Sequence, residues 1–413
     1  MKITLKNNIF SQVLILIPFF LVFVSSPIQF LHKELGTALK LLAVVYMIGF
    51  VFVKNTYNKN LVIATLLFIP FLVYGILISF SIKAGLSDGL RYLFPVVVLF
   101  YGFSARNFFG LLLKFIIVFV IINFLAQFVN YYYWLKGETQ WFYHFTDHGL
   151  EYYHTASNIL RATGIVGFFG FFGFLNIIAF FVLHKFYHGK GRPLLLIITI
   201  FCVVASFSFK GIAAFLMVLF VYYYKHLIKI LGIISVLIIS FYFIAYKRFQ
   251  LLIDEFLIKI QVYITEGQSA RSESYRVMFD EIANFNLFGK GVGVFGGPAS
   301  TTYNSPYYGE VGFNWYGIEW MNLTTTDTYP PHLFVELGII GGLSYLLLLT
   351  VPLLRKKINS GMKLILVIYF CLFVDMLFSF SLNNLEYLMF SLVFVYPIFQ
   401  YSKQLKGDRE LKP

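Results

Sequence analysis

The chain has 413 residues, of which 59% are hydrophobic, 20% are aromatic and only 12% are charged. Soluble domains are about 45–50% apolar and about 25% charged, so this composition excludes a soluble globular protein. The net charge of +13 comes from basic residues that flank apolar runs, a pattern typical of membrane topology signals rather than of nucleic-acid binding. Cys202 and Cys371 both lie inside apolar runs, and we expect them to be core residues without a disulfide role.

The first apolar run begins close to the N-terminus. It follows Lys2 and Lys6 and covers residues 9–24, an arrangement that resembles a signal peptide. The sequence Ser25-Ser26-Pro27 is a poor cleavage site, and a further apolar run follows at once. We therefore predict an uncleaved first membrane helix.

Apolar runs recur along the chain at lengths that suit a bilayer-crossing helix, which needs roughly 17–25 residues. They predict an all-α polytopic membrane protein with about twelve transmembrane helices. The predicted spans are 9–26, 35–53, 61–80, 90–103, 108–129, 162–183, 194–206, 209–224, 227–246, 332–352, 364–381 and 386–401.

Lysine and arginine collect in alternate connections between these spans, which predicts cytoplasmic termini. Two long connections, 130–160 and 247–331, then lie on the periplasmic side. The predicted organisation is residues 1–246 with spans one to nine, a long periplasmic loop at 247–331, and residues 332–413 with spans ten to twelve and a cytoplasmic tail. The short cytoplasmic connections and the lack of a P-loop exclude ATP-driven pumps with a nucleotide-binding domain in this chain.

The smaller periplasmic loop carries a cluster of potential metal ligands. Helical spacing would place them on one face, which makes a metal site one interpretation. Gly149 interrupts such a helix, and tyrosine and tryptophan dominate the neighbourhood, so we favour a polar patch facing solvent or an acceptor and predict no metal. The cluster consists of His144, Asp147, His148, Glu151 and His154.

The long loop contains a predicted charged helix followed by a glycine-rich turn. Residues 291–296 fit the pattern G-x-G-x-x-G, but no strand–helix context surrounds them, so dinucleotide binding is disfavoured. We predict a tight turn that returns the chain to the membrane and lets a ligand approach the backbone. The glycines are Gly289, Gly291, Gly293, Gly296 and Gly297.

At these residues the chain resembles the O-antigen ligase/polymerase superfamily of bacterial membrane glycosyltransferases. Arg276 precedes the glycine turn, as an arginine does in that family, and the segment 336–341 reads Glu-Leu-Gly-Ile-Ile-Gly. The segment 206–211 resembles the family's Ser-x-Ser-Arg-Gly motif with Lys210 in place of arginine, and Arg161 opens a Gly/Phe-rich span. The resemblance covers about residues 160–345.

One position departs from the family pattern. The family has a histidine about nine residues before the glutamate of the Glu-x-Gly motif, whereas Asp327 occupies that offset here. The nearby His332 lies four residues before Glu336. Asp327 and His332 are therefore both candidates for the catalytic base.

The resemblance implies a GT-C-like fold and transfer of a glycan from undecaprenyl diphosphate at the periplasmic face of the bacterial inner membrane. It implies no cofactor, and as partners the lipid-linked glycan, the bilayer, a chain-length regulator and a flippase. The cations that suit a diphosphate leaving group are Arg161, Lys210, Arg271 and Arg276. Their alternative roles are binding of lipid headgroups or pairing with nearby carboxylates.

Aromatic side chains are abundant in the second half of the long loop. Flat rings with polar edges suit stacking on sugars, and they equally suit an interfacial aromatic belt. The candidates for glycan binding are Trp315, Tyr316 and Trp320.

Three functions stay open at this point. A polysaccharide polymerase that extends a lipid-linked glycan is the leading hypothesis, and a ligase that transfers the glycan to lipid A–core uses the same donor. The third is a lipid-linked oligosaccharide flippase or another transporter. It is favoured by Asp375, because an ionisable residue within a span usually faces the bundle interior and serves an ion or substrate path.

Overall fold

The structure is a computed structural model that describes residues 9–136, 160–244, 246–261, 269–313, 315, 325–354 and 360–410. Of these described residues, 81% are helical, and they form no β-strand. The predicted all-α class is therefore confirmed.

Ten α-helices lie in the described residues of the N-terminal part. They are α1 (Ile9–Leu31), α2 (Lys33–Lys54), α3 (Lys59–Leu77), α4 (Ile82–Ser104), α5 (Phe109–Leu135), α6 (Phe169–Phe186), α7 (Arg192–Ala205), α8 (Phe209–Tyr222), α9 (Leu227–Ile244) and α10 (Tyr246–Ile260).

The C-terminal part combines short helices of the predicted loop with long apolar ones. They are α11 (Ala270–Ala283), α12 (Pro298–Thr302), α13 (Tyr307–Glu310), α14 (Tyr329–Thr350), α15 (Ser360–Phe378) and α16 (Leu385–Glu410).

Among the described residues, eight helical segments are long and apolar enough to cross a membrane. This is the architecture of a multi-pass membrane protein, because only a helix satisfies all backbone polar groups within a single segment in lipid. The helices α7 and α8 are apolar but shorter. The total of about twelve spans stays a prediction. The eight segments are Gln12–Gln29, Lys33–Lys54, Lys59–Leu77, Ile82–Ser104, Phe109–Leu135, Phe169–Phe186, Tyr329–Leu353 and Gly361–Phe378.

Side-chain caps fix where several helices begin. The Asn58 side chain accepts hydrogen bonds from two backbone N–H groups at the start of α3, and Ser208 accepts one from Gly211 N at the start of α8. Ser269 and Ser272 form a reciprocal capping box at the start of α11. The Ser-x-Ser segment before Lys210 therefore has a structural role as a helix start.

Two helices begin well away from the predicted starts of their spans. Helix α4 begins at Ile82 rather than near residue 90, so its charged first half belongs to the same helix as its apolar second half. Helix α6 begins at Phe169 rather than at 162, because residues 161–168 form a non-helical segment. The Gln127 side chain of α5 accepts hydrogen bonds from the N–H groups of Thr163 and Gly164, at 3.0 Å each, and holds that segment in place.

The chain divides into two compact units. The first unit comprises Met1–Ser25, Thr37–Leu112 and Gln268–Pro413, and the second comprises Ser26–Gly36 and Leu113–Gly267. In the first unit, α4 packs on α16, and α14 packs on both α3 and α11. In the second unit, α6 packs on α7 and α8.

Candidate functional site

Helix α14 is broken at Gly338, and the loop formed by residues 286–297 (the glycine loop) docks on the break. Two N–H groups of the loop donate to carbonyls before the break, and two N–H groups after the break donate to loop carbonyls. The bonds are Lys290 N to Val335 O (2.9 Å), Gly291 N to Glu336 O (3.2 Å), Ile339 N to Asn286 O (3.0 Å) and Ile340 N to Leu287 O (3.1 Å). The loop therefore satisfies backbone groups that the broken helix leaves without a helical partner.

Glycine is required at the centre of this contact. Gly338 has φ 69° and ψ −176°, a conformation that is essentially confined to glycine. A Cβ atom at Gly338 would collide with Gly289 N, and a Cβ atom at Gly289 would collide with Glu336 O. The predicted tight turn is thus present, and it brings the two backbones into direct contact.

The glycine loop also contacts the end of α3 and the start of α4. Val292 N donates to Gly75 O at 2.8 Å, and a Cβ atom at Gly293 would collide with the backbone of Ala84. These contacts place the following residues of the loop beside Asp88 of α4, where a Cβ atom at Gly297 would meet the carboxylate.

Three ionisable side chains converge at this point, and we call them the Asp88–His332–Glu336 cluster. Asp88 comes from α4, and His332 and Glu336 come from α14, one helical turn apart. All three are fully buried, and each offers one ligand atom within 4.8 Å of the others. A burial of this kind is costly unless every charge is compensated.

The Glu336 carboxylate is held on both oxygens. Its Oε1 accepts from Phe295 N at 3.1 Å and lies 3.4 Å from His332 Nδ1, while its Oε2 accepts from the Tyr92 hydroxyl at 3.2 Å. The Tyr92 ring also stacks on the His332 imidazole with 5.0 Å between ring centroids and 5° between planes. Helix α4 therefore fixes both members of the cluster that belong to α14.

The two nitrogens of His332 have different surroundings. Nδ1 lies 2.8 Å from the carbonyl of Phe295, an acceptor, so this nitrogen carries the proton and donates. Nε2 is buried and has no hydrogen-bond partner among the described residues. In the neutral imidazole, that nitrogen presents a lone pair to the interior of the cluster.

Asp88 is held by two donors. Arg91 of α4 forms an ion pair with it, and Ala299 N at the start of α12 donates to its Oδ2 at 3.3 Å. The Arg91 side chain is 28% exposed whereas Asp88 is fully buried, so the cation reaches the cluster from its more accessible side.

Asp327, one of the two predicted bases, lies outside this cluster. It pairs with Arg271 of α11, with 3.2 Å between Nη2 and Oδ2, and its side chain is 49% exposed. Neighbouring contacts hold the segments that carry this pair together: the hydroxyls of Ser274 and Thr328 lie 2.7 Å apart, and Thr326 N donates to Gly296 O. The structure therefore separates the two candidate bases into an accessible carboxylate and a buried imidazole.

Arg276 has the carboxylate partners that the alternative interpretation anticipated. Its guanidinium contacts Asp280 at 3.0 Å and Glu273 at 3.5 Å, and it donates to Val311 O at 3.0 Å. The side chain is half exposed. It links α11 to the end of α13 on the outer surface of the first unit.

Arg161 and Lys210 belong to the second unit, at the N-terminal end of α6. The Arg161 guanidinium lies over the Phe169 ring, 4.6 Å from its centroid, and Lys210 Nζ lies 6.0 Å from the Phe174 centroid. Ala162 N donates to Ala205 O at 2.8 Å and joins the two predicted motifs. The structure thus brings Arg161 and Lys210 to one end of one helix.

The aromatic candidates are described in part. Trp315 packs on a hydrophobic core of the first unit whose buried members include Phe295 and Tyr308. Burial raises the pKa of Tyr308, whose hydroxyl accepts a hydrogen bond from Gly296 N at 2.9 Å. Tyr316 and Trp320 lie outside the described residues, as does the metal-ligand cluster predicted at 144–154.

Sequence reasoning missed one member of the cluster, Asp88, and two residues that contact the cluster, Arg91 and Tyr92. The predicted span began at residue 90, which left Asp88 in a connection. The available signal was an ionisable residue inside a membrane helix, the same signal that singled out Asp375. Asp375 is fully buried in α15 and accepts a hydrogen bond from Ser379 at 3.0 Å.

No protein-family model and no curated protein matches this chain. The functional argument therefore rests on the motifs of the sequence and on the geometry of the described residues.

Proposed function

We propose that the chain is a membrane glycosyltransferase of the polysaccharide-polymerase type. It would transfer a growing glycan from undecaprenyl diphosphate to a lipid-linked repeat unit at the periplasmic face of the bacterial inner membrane. The observation that carries the proposal is the accessible Arg271–Asp327 pair beside the glycine loop. A cation and a carboxylate stand together there, at the place in the chain where the family's loop motifs fall.

The exposure of the two candidate bases favours Asp327. An acceptor hydroxyl has to reach the base, and His332 is fully buried while about half of the Asp327 side chain is accessible. Asp327 also occupies the offset from Glu336 at which the family has its histidine. His332 is then the buried neighbour of the reacting surface, and Asp327 is the residue that touches the acceptor.

The chemistry follows from this pair. The acceptor hydroxyl oxygen attacks the anomeric carbon, the bond from that carbon to the diphosphate oxygen breaks, and the hydroxyl proton moves to the Asp327 carboxylate. Arg271 stabilises the departing diphosphate with paired N–H donors. Arg276 is proposed as a further diphosphate contact and Trp315 as a glycan contact, while the diphosphate role of Arg161 and Lys210 stays a prediction from the sequence. No cofactor is needed, since the glycosyl–diphosphate bond supplies the free energy.

The test uses purified protein and a synthetic undecaprenyl-diphosphate repeat unit. A ladder of longer glycans supports the polymerase, and product that forms only with added lipid A–core selects the ligase. Asp327→Asn and Arg271→Ala are expected to lower the rate by at least about 100-fold, as loss of a general base or an electrostatic contact does. Glu310→Gln, a change of another exposed outer carboxylate, is the matched control and is expected to retain activity. Unchanged substrate in both assays would contradict the proposal.

A transporter is the second candidate, favoured by the Asp88–His332–Glu336 cluster. Ionisable residues buried in membrane helices often mark ion or proton pathways. Liposomes loaded with a lipid-linked oligosaccharide and an imposed proton gradient test this candidate. Gradient-dependent translocation, lost in Glu336→Gln, together with no glycan transfer would favour the transporter over the enzyme.

A further inference from the structure

Within the part of the chain that the structure describes, the Asp88–His332–Glu336 cluster is a set of electron-pair donors with fewer positive partners than carboxylates. Two carboxylates and one imidazole nitrogen converge from α4 and α14, and all three side chains are fully buried. The guanidinium beside them is that of Arg91, which faces one carboxylate and is 28% exposed. With His332 neutral and both carboxylates ionised, one of the two negative charges has no compensating cation among the described residues.

A second proton on His332 would supply the missing positive charge, but that proton would have no hydrogen-bond acceptor within the described part of the chain. The Nδ1 proton already has the Phe295 carbonyl as its acceptor, at 2.8 Å. A second proton would have to sit on Nε2, which is buried without a partner. A buried donor without an acceptor is costly, whereas a lone pair on Nε2 is what a metal ion binds.

The hydrogen bonds around the cluster resemble those that orient the ligands of a metal ion. A metal-bound histidine almost always donates its other N–H to a carbonyl or carboxylate, as His332 does to Phe295. Both carboxylates are oriented by donors that lie outside the cluster. Glu336 accepts from the Tyr92 hydroxyl and from Phe295 N, and Asp88 accepts from Ala299 N.

The distances leave room for one ion. One ligand atom from each residue lies within 4.8 Å of the others, so a point equidistant from the three atoms is within roughly 2.8 Å of each, and the side chains have to close around an ion to form Zn–N and Zn–O bonds of about 2.0–2.2 Å. Glycine at position 297 keeps the approach between Asp88 and His332 clear, because a Cβ atom there would overlap the Asp88 carboxylate and lie 2.8 Å from His332 Cε1.

We propose that Asp88, His332 through Nε2, and Glu336 bind a divalent transition-metal ion of the Zn²⁺ class. Mixed imidazole and carboxylate ligands suit zinc, while magnesium and calcium prefer oxygen alone. The ion joins α4 to the first half of α14, directly beneath the glycine loop. This site is additional to the glycan-transfer chemistry proposed above, which uses residues outside the cluster and needs no metal.

The first experiment uses the wild-type full chain purified in detergent and stripped with a chelator. Titration with Zn²⁺ is expected to show one equivalent bound per chain, and Co²⁺ is expected to give visible d–d absorption with an imidazole ligand in X-ray absorption. Zn²⁺ is also expected to raise the midpoint of thermal unfolding. A wild-type chain that binds neither ion stoichiometrically overturns the proposal, whatever its glycan-transfer activity.

Variants then assign the ligands. His332→Gln, Asp88→Asn and Glu336→Gln are each expected to weaken Zn²⁺ binding by at least about 100-fold, the upper end of the loss seen for outer-shell changes. Asp375→Asn removes another fully buried membrane carboxylate of the same unit and is expected to keep one equivalent of Zn²⁺. Binding that persists unchanged in His332→Gln overturns the assignment. If a ligand variant fails to fold, the wild-type Co²⁺ spectrum decides, because absence of an imidazole signal there overturns the assignment as well.

Discussion

The break in α14 makes a quantitative prediction about Gly338→Ala. Its backbone conformation, φ 69° and ψ −176°, costs of order 1–3 kcal/mol for a residue with a side chain. The new Cβ atom would also collide with Gly289 N and push the glycine loop away. If two of the four backbone hydrogen bonds at this contact are lost, at about 1 kcal/mol each, the total destabilisation is roughly 3–5 kcal/mol.

Thermal unfolding can be followed through the reaction of buried free cysteines with a thiol reagent. Cys371 lies in α15, in the same unit as Gly338, and a fluorogenic thiol reagent reacts with it only when that unit opens. With about 2–4 °C of midpoint shift per kcal/mol, Gly338→Ala is expected to melt at least about 6 °C below the wild type in detergent. Gly49→Ala is the matched control on α2, because a Cβ atom there meets nothing within 4 Å.

The control is expected to melt at or slightly above the wild-type midpoint, since alanine favours the helix. A Gly338→Ala protein that melts within about 2 °C of the wild type would refute the reasoning. It would mean that α14 can straighten, and that the glycine loop does not depend on the break.

Three further changes test other parts of the first unit. Tyr307→Phe removes a 2.7 Å hydrogen bond to the Glu281 carboxylate and is expected to lower unfolding free energy by about 1–2 kcal/mol; an unchanged thiol-reagent melt would contradict this. Burial raises the pKa of Tyr275 to about 12 against about 10 in the unfolded chain, so its stabilising contribution is complete below pH 10 and is lost as the pH rises towards 12. Melts between pH 9 and 12 should therefore fall less steeply in Tyr275→Phe than in the wild type, and identical slopes would oppose the assignment. Lys40→Ala leaves the buried Glu386 without its 2.8 Å ion-pair partner and is expected to cost about 3 kcal/mol, with partial recovery in the double variant with Glu386→Gln; no recovery would argue against the pair.

The membrane architecture could be predicted from the sequence because it depends on local composition. Each apolar run has to become a helix in lipid, where no water is available to the backbone, so the runs at 35–53 and 61–80 lie on α2 and α3. Boundaries were predicted less well where a helix carries charge. The first turns of α4 carry Lys83 and Asp88, and hydropathy alone assigned these residues to a connection before the predicted span at 90–103.

The candidate site was predictable only in part. The motifs marked Arg271, Asp327, His332 and Glu336 as one neighbourhood, because all four lie in a single stretch of the chain. Their different environments were not predictable: Asp327 is half exposed in an ion pair, whereas His332 and Glu336 are fully buried. Which of two nearby side chains reaches solvent depends on how the segment packs against other helices. A local residue pattern does not predict that packing.

The sequence by itself determined that this is a helical membrane protein with a glycine turn before its late spans. The tertiary structure alone decided that the turn docks on a broken helix, and that Asp88 meets His332 and Glu336 beneath it. Tyr92 and Glu336 lie 244 residues apart in the chain, yet they share a hydrogen bond. Long-range contacts of this kind arise from the packing of α4 against α14 and the glycine loop, since no local pattern encodes which helix becomes the neighbour of another.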